Sequence, residues 1–90
     1  MELTELRKQI DTIDRQLIAL FEQRMDVADS VAAYKKETGM AILDSAREEQ
    51  KLQAVGAQCR PETADLIVGL FKDIMAASRT YQARHMESER

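Results

Sequence analysis

Arg24 is the residue that says most about chemistry, because it stands in a row where Leu17, Leu20, Val27 and Val31 set an apolar pattern. A guanidinium on such a row either snorkels to the edge or meets an anion inside, since a buried and unpaired one is costly. That anion is a carboxylate of the protein or of a ligand, and the spacing leaves both open. Arg7 follows the row residue Leu6, and Lys35 follows the row residue Tyr34, so both cations flank the stripe on the same side. Taken singly, each also reads as an ordinary solvated charge. Asp44, Arg47 and Glu48 are spaced as neighbours on one helix face, although Ser45 with Glu48 also fits an S-x-x-E capping box. Ser78 and Gln82 continue the row of Leu66, Leu70 and Ile74 at steps of four. They are either hydrogen-bonding groups inside a pocket or the point where a helix emerges into water.

Cations, neutral donors and one or two carboxylates in company suit a small dianion that bears a hydroxyl. Carboxylates recruit Arg groups, and an acidic side chain accepts from the hydroxyl. No nucleophile is paired with a base: His85 lies near the last residues, Cys59 falls in a linker, and Ser78 has no base close in sequence. Nor do His85, Cys59 and the scattered carboxylates show C-x-x-C or H-E-x-x-H spacing, so no metal site is expected. The chemistry expected is one of position and electrostatics.

The elements that must hold these groups are helical. Leu3, Leu6, Ile10, Ile13, Leu17, Leu20, Arg24, Val27, Val31 and Tyr34 alternate steps of three and four, which predicts one long helix ending near Thr38 and Gly39. Met40 to Leu43 form an apolar connector. A short second helix begins at Asp44 or Ser45 and ends around Gly56. Ala57 to Pro61 read as a linker, with Pro61 suited to a first helical turn. The third helix is expected from about Glu62 to Gln82 or slightly beyond, with Met86 to Arg90 frayed. The fold class is thus all-α, with long, short and long helices in a single domain over residues 1–90.

A partner chain is expected as well. A chain of 90 residues buries too little surface to be comfortable alone. A helix from Leu3 to Thr38 would be about 54 Å long, whereas a compact globule of this size has a radius of gyration of about 12 Å. The first helix must overhang, and the same helix of a second copy covers its stripe, giving an intertwined homodimeric bundle. Arg7 and Lys35 lie about 42 Å apart along a straight helix and cannot share a site within one chain. In an antiparallel dimer, each of two equivalent sites would combine Arg24 and Lys35 of one chain with Arg7 of the other.

Composition excludes several classes. The formal net charge of −3 argues against a general nucleic-acid binder. The opening MELTELRKQIDTID lacks the apolar core of a signal peptide, and no apolar run approaches the roughly 20 residues that cross a bilayer. A cytoplasmic protein with Cys59 as a free thiol is expected.

With these residues in place, the chain resembles the all-helical chorismate mutase family. The matching pieces are L-R-K-Q-I-D-T-I-D from Leu6 to Asp14, L-F-E-Q-R from Leu20 to Arg24, Lys35, D-S-A-R-E from Asp44 to Glu48, and S-R-T-Y-Q from Ser78 to Gln82. Each fragment is weak, but their order and spacing across nearly the whole chain form a strong signal. The resemblance implies an intertwined homodimer of three-helix subunits with two active sites, and a cofactor-free conversion of chorismate to prephenate. It implies that Arg24 and the partner's Arg7 hold the two substrate carboxylates. Lys35 and Gln82 resemble the pair directed at the ether oxygen, Arg47 a further cation, Glu48 and the surroundings of Asp44 the contacts to the ring hydroxyl, and Ser78 a group near the ring carboxylate. Arg79 departs from the pattern, standing where some relatives have an aliphatic residue, and the linker around Cys59 and Pro61 is shorter than in some.

Two rivals remain at this level. An isochorismate pyruvate-lyase on the same scaffold uses a similar ring of cations. A non-catalytic dimerisation module instead requires Arg24 to find an internal Asp or Glu and leaves no cavity between the helices.

Overall fold

The computed structural model describes residues 2–88, and the regular elements among them are three helices: α1 Leu3–Thr38, α2 Ser45–Gln58 and α3 Ala64–Ser88. The long, short, long order is the one read from the sequence. No helix among the described residues is long and apolar enough to cross a membrane.

Gly39 ends α1 in the left-handed conformation at φ 72°, and the Met40 N–H turns back to the Lys35 carbonyl at 2.8 Å. Only glycine enters that region without a steric penalty, so the chain reverses here and the connector begins. Asp44 settles the start of α2: its carboxylate accepts from the Arg47 N–H at 3.0 Å. The alternative capping box is not formed, because the Glu48 side chain turns toward α3.

Three boundaries differ from the sequence reading. α2 runs on to Gln58, past Gly56, because Gly56 has no left-handed φ to end the helix and faces Val68 of α3 with room for ordinary van der Waals contact. α3 begins at Ala64. Pro61 instead takes the second position of a turn closed by the Thr63 N–H on the Arg60 carbonyl at 3.1 Å, a place that suits its fixed φ. At the far end the helix holds through Met86 to Ser88, where fraying was expected. His85 Nδ1 lies 2.8 Å from Asp29 Oδ1 and ties this last part of α3 to α1. Glu89 and Arg90 lie outside the described residues.

α3 is the central element, packed along the C-terminal half of α1 on one side and along α2 on the other. The buried apolar residues are Met25, Ala28 and Ala32 of α1, Val55 of α2 and Met75 of α3. On α1 this face is one residue out of step with the row of Arg24, Val27 and Val31. The small side chains of Ala28 and Ala32 let α3 approach closely, whereas the larger row faces elsewhere. Leu3, Leu6, Ile10, Ile13, Leu17 and Leu20 are accordingly between 38% and 60% exposed. The chain measures 54 Å along its long axis, with a radius of gyration of 16.3 Å, well above the value of about 12 Å for a compact chain of this length.

Candidate active site

Where the C-terminal half of α1 faces α2 and α3, the three helices enclose a cleft of about 360 Å³. Arg24 and Lys35 reach it from α1 because they stand about three helical turns apart and so share a face. Asp44, at the α2 cap, and Arg47 and Glu48, in its first turn, line the second wall. Ser78 and Gln82, one turn apart on α3, line the third. Val27, Ala28, Val31, Ile42 and Met75 supply the apolar parts of the wall.

The sequence had singled out Arg7 as well, and the fold keeps it apart. It lies on the exposed overhang of α1, outside the cleft, about 26 Å along the helix from Arg24. Conversely, Lys51 lines the cleft and was not singled out. Its signal was present in its spacing, four residues after Arg47 and three after Glu48 on the same helical face. Arg79 also lines the cleft, having been marked beforehand only as a departure from the family pattern.

Local bonding shows how these groups are held. The Lys35 ammonium donates to the Ile42 carbonyl at 2.7 Å, so the connector orients it and leaves two of its donors unused by that bond. The Gln82 amide, 6% exposed, donates from Nε2 to Ser78 Oγ at 3.1 Å. Its Oε1 is buried with no partner, at a cost of about 1–3 kcal/mol if left so. Arg79 Nη1 donates to both carboxylate oxygens of Glu48 across the α2–α3 interface. Arg24 is half-buried and, among the described residues, pairs with no carboxylate. The internal partner required of a dimerisation module is therefore absent from the described residues, and a cleft is present.

The charge balance points the same way. Arg24, Lys35, Arg47, Lys51 and Arg79 face only Asp44 and Glu48, a local net charge of +3 in a chain whose formal charge is −3. Concentrated positive potential in a walled cleft attracts a small anion, and the buried neutral pair adds directional hydrogen bonds. Fold and site together define a class: an all-helical protein with a cationic cleft between its three helices.

Comparison with known proteins narrows that class. Residues 6–83 match the family model for chorismate mutase type II. The chain is 28% identical to a chorismate mutase of Methanocaldococcus jannaschii over 88 residues, which cover 96% of this chain and 89% of that one. It is 34% identical over 73 residues to the T-protein of Haemophilus influenzae, covering 81% of this chain and 19% of the relative. Against the T-protein of Enterobacter agglomerans the identity is 32% over 81 residues, with 88% and 22% covered. It thus spans about a fifth of each T-protein's length. No solved structure matches. The chain belongs to the type II chorismate mutases, the enzyme family that isomerises chorismate to prephenate.

Proposed function

We propose that the cleft between the three helices is where this chain converts chorismate to prephenate, with Arg24 and Arg7 of the partner subunit holding the two carboxylates. The observation that carries this reading is the placement of Arg24, Lys35 and Arg47 around one cleft with buried Ser78 and Gln82, while Arg24 lacks an internal carboxylate.

In the rearrangement one C–O bond breaks as one C–C bond forms within a single molecule, so neither nucleophile nor proton donor is called for. The barrier falls if the folded, near-diaxial conformer is selected, and two cationic clamps on the two carboxylates do that. Arg47 adds a third cation to the same clamp. Negative charge grows on the ether oxygen as its bond stretches, and donors fixed in advance stabilise it more in the transition state than in the ground state. Lys35, already oriented by Ile42, supplies one such donor. Rotating the Gln82 amide so that Ser78 Oγ donates to Oε1 would satisfy the orphaned oxygen and turn both Nε2 hydrogens toward the ligand. Asp44 and Glu48 accept from the ring hydroxyl, and Ser78 stands beside the ring carboxylate.

The site as drawn from one chain lacks its second clamp. The exposed row from Leu3 to Leu20 supports a second copy of α1 lying antiparallel on it, which would carry the partner's Arg7 toward the cleft and make two equivalent sites. Following the loss of chorismate absorbance with purified protein, together with mass by light scattering, tests both parts. Turnover by a dimer, abolished in Arg24→Ala, is expected. A stable monomer, or no turnover, overturns the reading, and pyruvate release from isochorismate in a parallel assay would assign the lyase reaction instead.

A further inference from the structure

We propose that Arg79 is a positioning residue for this site: from α3 it fixes the Glu48 carboxylate so that its free lone pairs face the ligand hydroxyl. The proposal rests on the reading of the cleft given above.

Glu48 has a flexible side chain on the first turn of α2, in a cleft lined by other cations. Arg47 and Lys51 share its helix, and Arg24 and Lys35 face it from α1. Left alone, the carboxylate would have several competing partners and no single orientation. Arg79 removes that choice. It follows Ser78 directly, so while Ser78 and Gln82 lie buried against each other, the neighbouring face of α3 carries Arg79 across to α2. A single nitrogen, Nη1, bonds both Oε1 and Oε2. A carboxylate offers about four lone-pair sites, so this contact orients Glu48 without using it up. The pair is also partly shielded, with side chains 34% and 25% exposed, so water competes less than it does at an open surface. Finally, Arg79 balances the Glu48 charge, so an incoming dianion meets no uncompensated carboxylate beside its hydroxyl.

Because the contact runs through one nitrogen and not through the two-pronged fork of the guanidinium, an ammonium replaces much of it. Arg79→Leu is expected to lower kcat/KM about tenfold, mainly through KM, since the hydroxyl contact exists in the ground state too. Arg79→Lys should stay within about threefold of wild type. In a Glu48→Gln background, Arg79→Leu should cost less than about twofold, because residues acting through one another are not additive. If Arg79→Leu does not fold, the same cycle with Arg79→Gln, which removes the charge but keeps a polar side chain of similar reach, decides. Equal losses in both backgrounds, or full activity in Arg79→Leu, overturn the positioning role, the first because it would mean that Arg79 touches the ligand itself. If the wild-type chain turns over chorismate while the cycle is additive, the site stands and this role falls. If the wild-type chain does not turn over chorismate, both fall.

Discussion

Lys35 and Gln82 show how differently two residues with the same proposed task are held. Lys35 is oriented by a backbone carbonyl of the connector, a bond that serves the local fold besides its proposed task. Gln82 is buried with an unsatisfied oxygen, so it contributes little to the stability of the single chain that packing alone would explain. Gln82→Ala is therefore expected to lower kcat about 100-fold, the scale of one lost oxyanion donor, with little change in thermal midpoint or mass. Lys35→Ala should lower kcat similarly and also reduce stability. Near-wild-type turnover in either purified variant would refute the assignment. Ser78 and Gln82 were legible as polar residues on an apolar row, but the row alone did not say whether they faced inward, because the same break marks any helix leaving a core. Arg79 was harder to see: an Arg at a half-exposed helical position is usually a solvated charge, and its value lies in a contact with a residue thirty-one positions earlier.

Among the elements, the turn at Gly39 and the cap at Asp44 bound the connector that carries both Lys35's acceptor and the start of α2. Asp44→Ala removes the N-cap and should cost about 1 kcal/mol of stability, read as a lower urea midpoint, together with a rise in KM because Arg47 and Glu48 occupy the first turn it secures. Gly39→Ala meets no atom within 4 Å, so only its positive φ is penalised, at about 1 kcal/mol. The Gly39 cap was readable from local chemistry, whereas the choice of Asp44 over a Ser45–Glu48 box was open until the Glu48 side chain was seen to turn toward α3. Gly56 and Pro61 misled because each has two roles. Glycine ends a helix only where the backbone needs its freedom, and Gly56 keeps the helical conformation that any residue adopts; proline opens a helix or occupies a turn, and the Arg60–Thr63 hydrogen bond chose the turn.

At the scale of the molecule, the long axis of 54 Å and the exposed row on α1 mean that the single chain leaves its longest apolar surface uncovered. If a second copy covers it and lends Arg7, two inactive variants should rescue each other. Arg7→Ala and Arg24→Ala, unfolded and refolded together in equal amounts, form mixed dimers with one intact site and one doubly damaged site. Random pairing predicts about a quarter of wild-type activity, against almost none for either variant alone. Absence of rescue, with mixed dimers verified by mass, would rule out the shared site. Ile13→Glu, in the middle of the exposed row, should likewise convert the dimer to an inactive monomer.

Three helices, their order, the Gly39 cap and most of the cleft's charged residues were determined by the sequence itself, because periodicity, capping and charge spacing act within a few residues of the chain. Which face of α1 meets α3 was decided only in three dimensions: Ala28 and Ala32 win that contact through closeness of approach, a property that no hydrophobic pattern ranks above Val27 and Val31. The Glu48–Arg79 contact belongs to the same category, since it exists only once α2 and α3 are packed side by side.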